Sequence, residues 1–101
     1  MVHEIIWSPR AIVDYVDNLE YLNKEWTEQE INNFISAVHD KLIVLSHQPY
    51  IGALKKNKRG KRYITIINKR ISLVYRVKPI KKQIELLLFW NTYRNPSGLK
   101  F

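Results

Sequence analysis

The chain of 101 residues contains no cysteine, which excludes disulfides, thiolate metal sites and a cysteine nucleophile together. A reducing compartment suits such a sequence. Glycine is scarce, at three residues, and none belongs to a phosphate-cradling glycine-rich loop or a nucleophile elbow. No stretch approaches the roughly 18 apolar residues of a membrane span, and the opening Met1-Val2-His3-Glu4 has neither a basic start nor an apolar run after it. The expectation is a cytoplasmic protein with no membrane partner. His3, His39 and His47 lack metal-ligand spacing, so no metal and no cofactor are expected. Acidic residues are missing from more than half of the chain, because after Asp40 only Glu85 remains.

That last absence divides the sequence by charge. Residues 1 to 40 hold two bases against eight acids, a formal balance of −6, whereas residues 41 to 101 hold fifteen bases against one acid, a balance of +14. The positive charge peaks in Lys55-Lys56-Asn57-Lys58-Arg59-Gly60-Lys61-Arg62. A surface of one sign attracts counter-ions over a Debye length of roughly 8 Å at physiological salt, so the expected partner is an anion. A length near 100 residues suits one domain, here 1–101, with no room for a second core. With 46% hydrophobic and 26% charged residues the chain has the composition of a folding sequence, not a disordered tail.

Periodicity supplies the elements. Val2 to Trp7 is short, apolar and β-branched and is stopped by Ser8-Pro9, which predicts a first strand. Ser8 as N-cap with Pro9 at the first helical position then starts a helix, in which Ile12, Tyr15, Val16, Leu19 and Leu22 recur at helical spacing to about Asn23. Asp14, Asp17 and Glu20 fall on its flank and read as solvated charge. Thr27-Glu28-Gln29-Glu30 fits a capping box, with Trp26 and Ile31 as its hydrophobic staple. The second helix carries the stripe Ile31, Phe34, Ile35, Val38, Leu42, Leu45 and ends before Pro49. Pro49, Gly52 and Gly60 bracket a basic surface loop, 55 to 62. Tyr63 to Ile67, Ile71 to Val77 and Ile84 to Trp90 then read as strands of an antiparallel meander. In the middle strand Ile71, Leu73, Tyr75 and Val77 share the face that receives the helices, while Arg70, Ser72, Val74, Arg76 and Lys78 share the other. The expected fold class is α+β: one N-terminal strand, a two-helix hairpin and a three-stranded meander, with the helices on one sheet face and a cationic surface on the other.

This order of elements, together with Trp7-Ser8-Pro9-Arg10-Ala11, Lys41-Leu42 through Pro49 and Gly52, Leu73-Val74-Tyr75-Arg76-Val77 and Phe89-Trp90-Asn91-Thr92-Tyr93-Arg94-Asn95-Pro96, resembles the RelE/ParE superfamily of bacterial type II toxins. The resemblance covers essentially the whole chain. It implies a small toxin held silent by a cognate acidic antitoxin. Two activities occur in the superfamily: ParE-like members bind and poison DNA gyrase, and RelE-like members cut messenger RNA on the ribosome. RNA cleavage of the second kind needs only a base for the 2′-hydroxyl and cations for the crowded phosphate. In the register of the central strand, RelE-like proteins carry arginine where this chain has Ser72, and lysines where it has Tyr63 and Thr65.

The expectation is therefore a ParE-like gyrase inhibitor, which is no enzyme. The alternative is a RelE-like endonuclease acting on the ribosome with mRNA, with Arg70, Arg76, Tyr93 and Arg94 as catalytic candidates and Lys61 and Arg62 as further cations. Arg70 and Arg76 share a face but stand about 20 Å apart at ~3.4 Å per residue, too far for one phosphate. A third reading is a nontoxic nucleic-acid-binding module. Candidates for binding the target or the antitoxin are Lys55, Lys56, Lys58, Arg59, Lys61, Arg62, Arg70, Arg76 and Arg94. Two readings of Arg76 stay open, a functional cation or a partner for Glu85 across the strands. Trp90 and Tyr93 read first as packing aromatics and second as stacking platforms.

Overall fold

The protein is described by a computed structural model over residues 2–58, 60–68 and 71–91. It opens with strand β1 (Glu4–Trp7), and Ser8 then turns the chain into helix α1 (Pro9–Glu25). Ser8 Oγ accepts the Ala11 N–H at 3.1 Å, satisfying one of the amides that a helix start leaves without a partner. Helix α2 (Glu28–His47) begins one turn later with the full capping box. Glu30 N–H donates to Thr27 Oγ1 at 3.2 Å, and Thr27 N–H donates back to Glu30 Oε1 at 3.4 Å. Four strands follow: β2 (Ala53–Asn57), β3 (Gly60–Asn68), β4 (Ile71–Lys78) and β5 (Gln83–Asn91).

The five strands form one sheet in the order β1-β5-β4-β3-β2. The β2-β3, β3-β4 and β4-β5 pairs are antiparallel, and β1 lies parallel to β5. A parallel pair needs a crossover that covers one face, and the helical hairpin is part of that connection. The α+β class, the two-helix hairpin and the antiparallel meander thus match the sequence expectation, with one addition. The basic stretch expected as a loop is a β-hairpin in which Lys55 pairs with Arg62, Lys56 with Lys61 and Asn57 with Gly60. Lysines are poor strand formers in a core, but on an edge strand both faces reach water and their charge deters further pairing. Gly60 takes φ +111°, a conformation that L side chains rarely adopt, where the hairpin closes.

The helix-facing residues of β4 are buried as expected, but Val74 on the opposite face is fully buried as well. Ile71, Leu73 and Tyr75 are fully buried and join Phe34, Leu22, Val38 and Leu45 of the helices in the main core. Burying each such side chain contributes about 1.5–3 kcal/mol. Trp7, Tyr15, Phe34 and Phe89 extend this core as an aromatic chain with centroid separations of 5.4 to 5.8 Å. Between the pairs Val74–Leu88 and Tyr75–Leu86 the register steps by one, which leaves Leu87 as a β-bulge where β1 comes to its end.

Candidate anion-binding face

Side chains alternate across a strand, so Tyr63 and Tyr75, opposite one another and buried on the helix side, fix the facing of everything else in β3 and β4. Arg62, Ile64 and Ile66 of β3, Val74, Arg76 and Lys78 of β4, and Lys55 of β2 lie on the other face. The register sets Lys55 opposite Arg62, and continuing the Tyr63–Tyr75 pairing by one residue sets Arg62 beside Arg76. Strands lie ≈ 4.8 Å apart, so these three cations form a row about 10 Å long between its end Cα atoms. Across the next strand Arg76 meets Glu85.

That last contact is an ion pair. Arg76 Nε donates to Glu85 Oε1 at 2.5 Å, and Lys78 Nζ stands 3.9 Å from the same oxygen. The carboxylate side chain is 21% exposed and the guanidinium side chain 39%, so the pair is partly desolvated yet open to solvent. Beside the row the face is aliphatic: Val74 and Leu88 pair and are buried, while Ile66 is 63% exposed.

The sequence-nominated residues separate on this frame. Lys55, Arg62 and Arg76 come together on the sheet face away from the helices. Lys56 and Lys61 oppose each other on the helix side of the hairpin, both exposed, and Lys58 is exposed in its turn. Arg59, Arg70, Tyr93 and Arg94 lie outside the described residues. Of the nuclease candidates proper, Arg76 alone is described, and Glu85 holds it. Tyr63 and Thr65, at the positions where RelE-like chains carry lysine, are buried on the helix side and face away from the row.

Tyr75 positions the strand that carries Lys55. Its hydroxyl donates to Pro49 O at 2.8 Å and accepts the Gly52 N–H at 3.0 Å, which ties the segment after α2 to the middle of the sheet just before β2 starts. The ring stacks on Tyr63 at 5.5 Å, and Tyr63 meets Tyr50 edge-on at 5.6 Å. Burial pushes the Tyr75 hydroxyl's pKa above its ordinary value, the Gly52 amide pulls it back, and Tyr63 raises it further.

One polar cluster was not legible as such in the sequence. Asp14 was expected as solvated charge, but its Oδ2 accepts the Phe89 N–H at 3.1 Å and Arg10 Nε at 3.3 Å. Asn18 donates to Asp14 O at 2.8 Å and accepts Asn91 Nδ2 at 2.8 Å, with both asparagines nearly inaccessible. Beyond Leu86 strand β5 has no β1 neighbour. Ser8 Oγ, donating to Leu87 O at 3.1 Å, and Asp14 take over the hydrogen bonds the missing strand would have made. The sequence signal was the spacing of Arg10, Asp14 and Asn18 at intervals of four, one stripe of a helix. These groups line a cavity of about 220 Å³, and the bonds among them mark it as a structural seam. Among the described residues no three His, Asp or Glu side chains gather as a metal site, and no helix is long and apolar enough to cross a membrane.

The model of the family described as the ParE toxin of the type II toxin-antitoxin system parDE matches residues 5–96. The chain belongs to the ParE toxin family. Solved structures agree on the fold of this family member. A chain of the toxin-antitoxin complex RelBE2 from Mycobacterium tuberculosis superposes with a TM-score of 0.64 at 13% identity, covering 90% of this chain and 99% of that one. The YoeB dimer from Staphylococcus aureus gives a TM-score of 0.56 at 20% identity, covering 87% and 94%. A comparison with curated proteins found none that matches.

Proposed function

We propose that this family member arrests growth by binding DNA gyrase, and that a cognate antitoxin silences it through an acidic segment laid on the basic sheet face. The observation that carries this reading is the family match over residues 5–96, taken with the chemistry of the nuclease positions. Ser72, Tyr63 and Thr65 stand where a ribosome-dependent nuclease would carry cations, and Tyr63 and Thr65 are buried in the core. A 2′-hydroxyl nucleophile needs a base and a concentration of charge at one phosphate. The one described arginine among the nuclease candidates is already paired with Glu85. Inhibition by binding asks for less, namely a charged surface on a fixed frame, and Lys55 and Arg62, paired across β2 and β3, fit that need. The test is a supercoiling assay with purified gyrase. Inhibition at micromolar protein, relieved by the antitoxin, is the expected result. Unimpaired supercoiling together with new 5′ ends on ribosome-bound message would replace gyrase by RNA as the target.

A further inference from the structure

Glu85 is the sole acid among residues 41 to 101, and it sits at the end of the cationic row. Its carboxylate oxygen lies 2.5 Å from Arg76 Nε and 3.9 Å from Lys78 Nζ, the position that an incoming carboxylate would take if the row continued. Among the described residues no acid stands opposite Lys55 or Arg62: the two pair with each other, and extending the β3-β4 register by one residue places Arg62 beside Arg76. Arg62 Nη1 donates to Lys61 O, a neutral acceptor.

We propose that Glu85 is an intramolecular counter-ion that withholds Arg76 and Lys78 from an anionic partner, so that the binding footprint for an acidic peptide stops at Arg62. The inference deepens the reading of the sheet face as the antitoxin's docking surface and rests on it. A peptide suits this face better than a nucleic acid for two reasons. The row already binds one carboxylate, and the surface beside it offers the exposed aliphatic Ile66, which suits a segment alternating acidic and apolar residues. A guanidinium engaged with a carboxylate keeps little free charge to offer a second, because the two anions repel at contact distance.

The experiment uses the full chain and a fluorescein-labelled dodeca-glutamate peptide, read by anisotropy between 50 and 200 mM salt, with circular dichroism to check each fold. Wild type should bind, and Arg62→Gln should weaken binding about fivefold or more. Glu85→Gln should tighten it about threefold to tenfold and steepen its salt dependence, since two cations are released. Glu20→Gln on the helix layer controls for net charge and should change affinity less than twofold. Arg76→Gln alone should be near neutral, and in the Glu85→Gln background it should erase the gain. If Glu85→Gln stays within twofold of wild type, or Arg76→Gln alone costs as much as Arg62→Gln, Arg76 was never withheld and the inference fails while the face reading stands. If Glu85→Gln does not fold, the Arg76→Gln result decides alone. Wild type that does not bind the peptide, or that binds unaffected by Lys55→Gln and Arg62→Gln, overturns the face reading and this inference together. Tighter binding to a dodeca-thymidylate overturns the peptide assignment.

Discussion

Replacing Tyr75 by phenylalanine removes one oxygen and two hydrogen bonds, to Pro49 O and from Gly52 N. Each such bond contributes about 1 kcal/mol net, and a carbonyl left dry and unpaired costs about 1–3 kcal/mol. Pro49 is buried, so Tyr75→Phe should cost about 2–4 kcal/mol, a large share of the roughly 5–15 kcal/mol that holds a domain folded. The same hydroxyl is why position 52 is glycine. A Cβ there would stand 2.7 Å from the Tyr75 oxygen, 3.0 Å from Ile64 O and 3.1 Å from Tyr75 Cε1. Gly52→Ala alone should therefore cost about 1–3 kcal/mol through overpacking. In the double variant the 2.7 Å contact vanishes, whereas the contacts with Ile64 O and Cε1 persist. The pair should be less damaging than the two singles summed, by about 1 kcal/mol. Urea unfolding of the four proteins gives this coupling directly. Additivity within about 0.3–0.5 kcal/mol would refute the claim that the hydroxyl and the glycine are mutually fitted. Because the tie precedes β2, Tyr75→Phe should also speed amide exchange at Leu54 and Lys56 more than at Leu73.

Three further outcomes follow from contacts elsewhere. Asp14→Ala should destabilise by about 1.5–3 kcal/mol in urea unfolding, since a charge-assisted bond to the Phe89 amide is lost, and Asp17→Ala should cost far less; equal losses would return Asp14 to the status of surface charge. At alkaline pH the raised Tyr75 pKa means that the folded state keeps its proton longer than the unfolded chain, so its stabilisation is complete below the unfolded value of about 10 and is lost as pH rises through the folded value. The slope is at most about 1.4 kcal/mol per pH unit, and denaturation at pH 9 to 11 should show it reduced in Tyr75→Phe, part remaining because burial also raises Tyr15. Lys56 and Lys61 face each other as like charges, so Lys56→Glu should raise the melting temperature, by an amount that shrinks with added salt; a fall would mean that the two ammonium groups do not meet.

What the sequence made legible was local. Ser8-Pro9 and the Thr27-Glu30 box mark helix starts with side chains that bond amides three residues on, and the alternation of Ile71, Leu73 and Tyr75 reports burial within one strand. What it hid was distant. Asp14 reads as solvated charge because the amide it caps lies 75 residues later. Strand β2 hides for a similar reason, since Leu54-Lys55-Lys56-Asn57 has little intrinsic strand preference and is held by pairing with β3 on an edge. The candidate face falls between these cases. Arg76 and Glu85 could be paired from strand spacing alone, but the assembly of Lys55 and Arg62 with them depends on a hairpin that composition disguised as a loop.

The linear division of charge becomes a division between layers. Residues 1 to 40, at −6, build β1, α1 and the first part of α2, while the rest, at +14, supplies the strands that carry Lys55, Arg62 and Arg76. The sheet stands between the helical acids and the cations on its far face. Packed layers are separated by about 10 Å, slightly beyond the Debye length of roughly 8 Å at physiological salt. The helices' acids therefore do little to neutralise that face, and within the sheet Glu85 pairs with Arg76 and Lys78. Self-repulsion between Lys55 and Arg62 is a standing cost of the free protein, and an acidic segment docked on the face as proposed would relieve it. Binding of that kind must raise apparent stability in proportion to the logarithm of partner concentration, and the rise should shrink with salt and with Arg62→Gln.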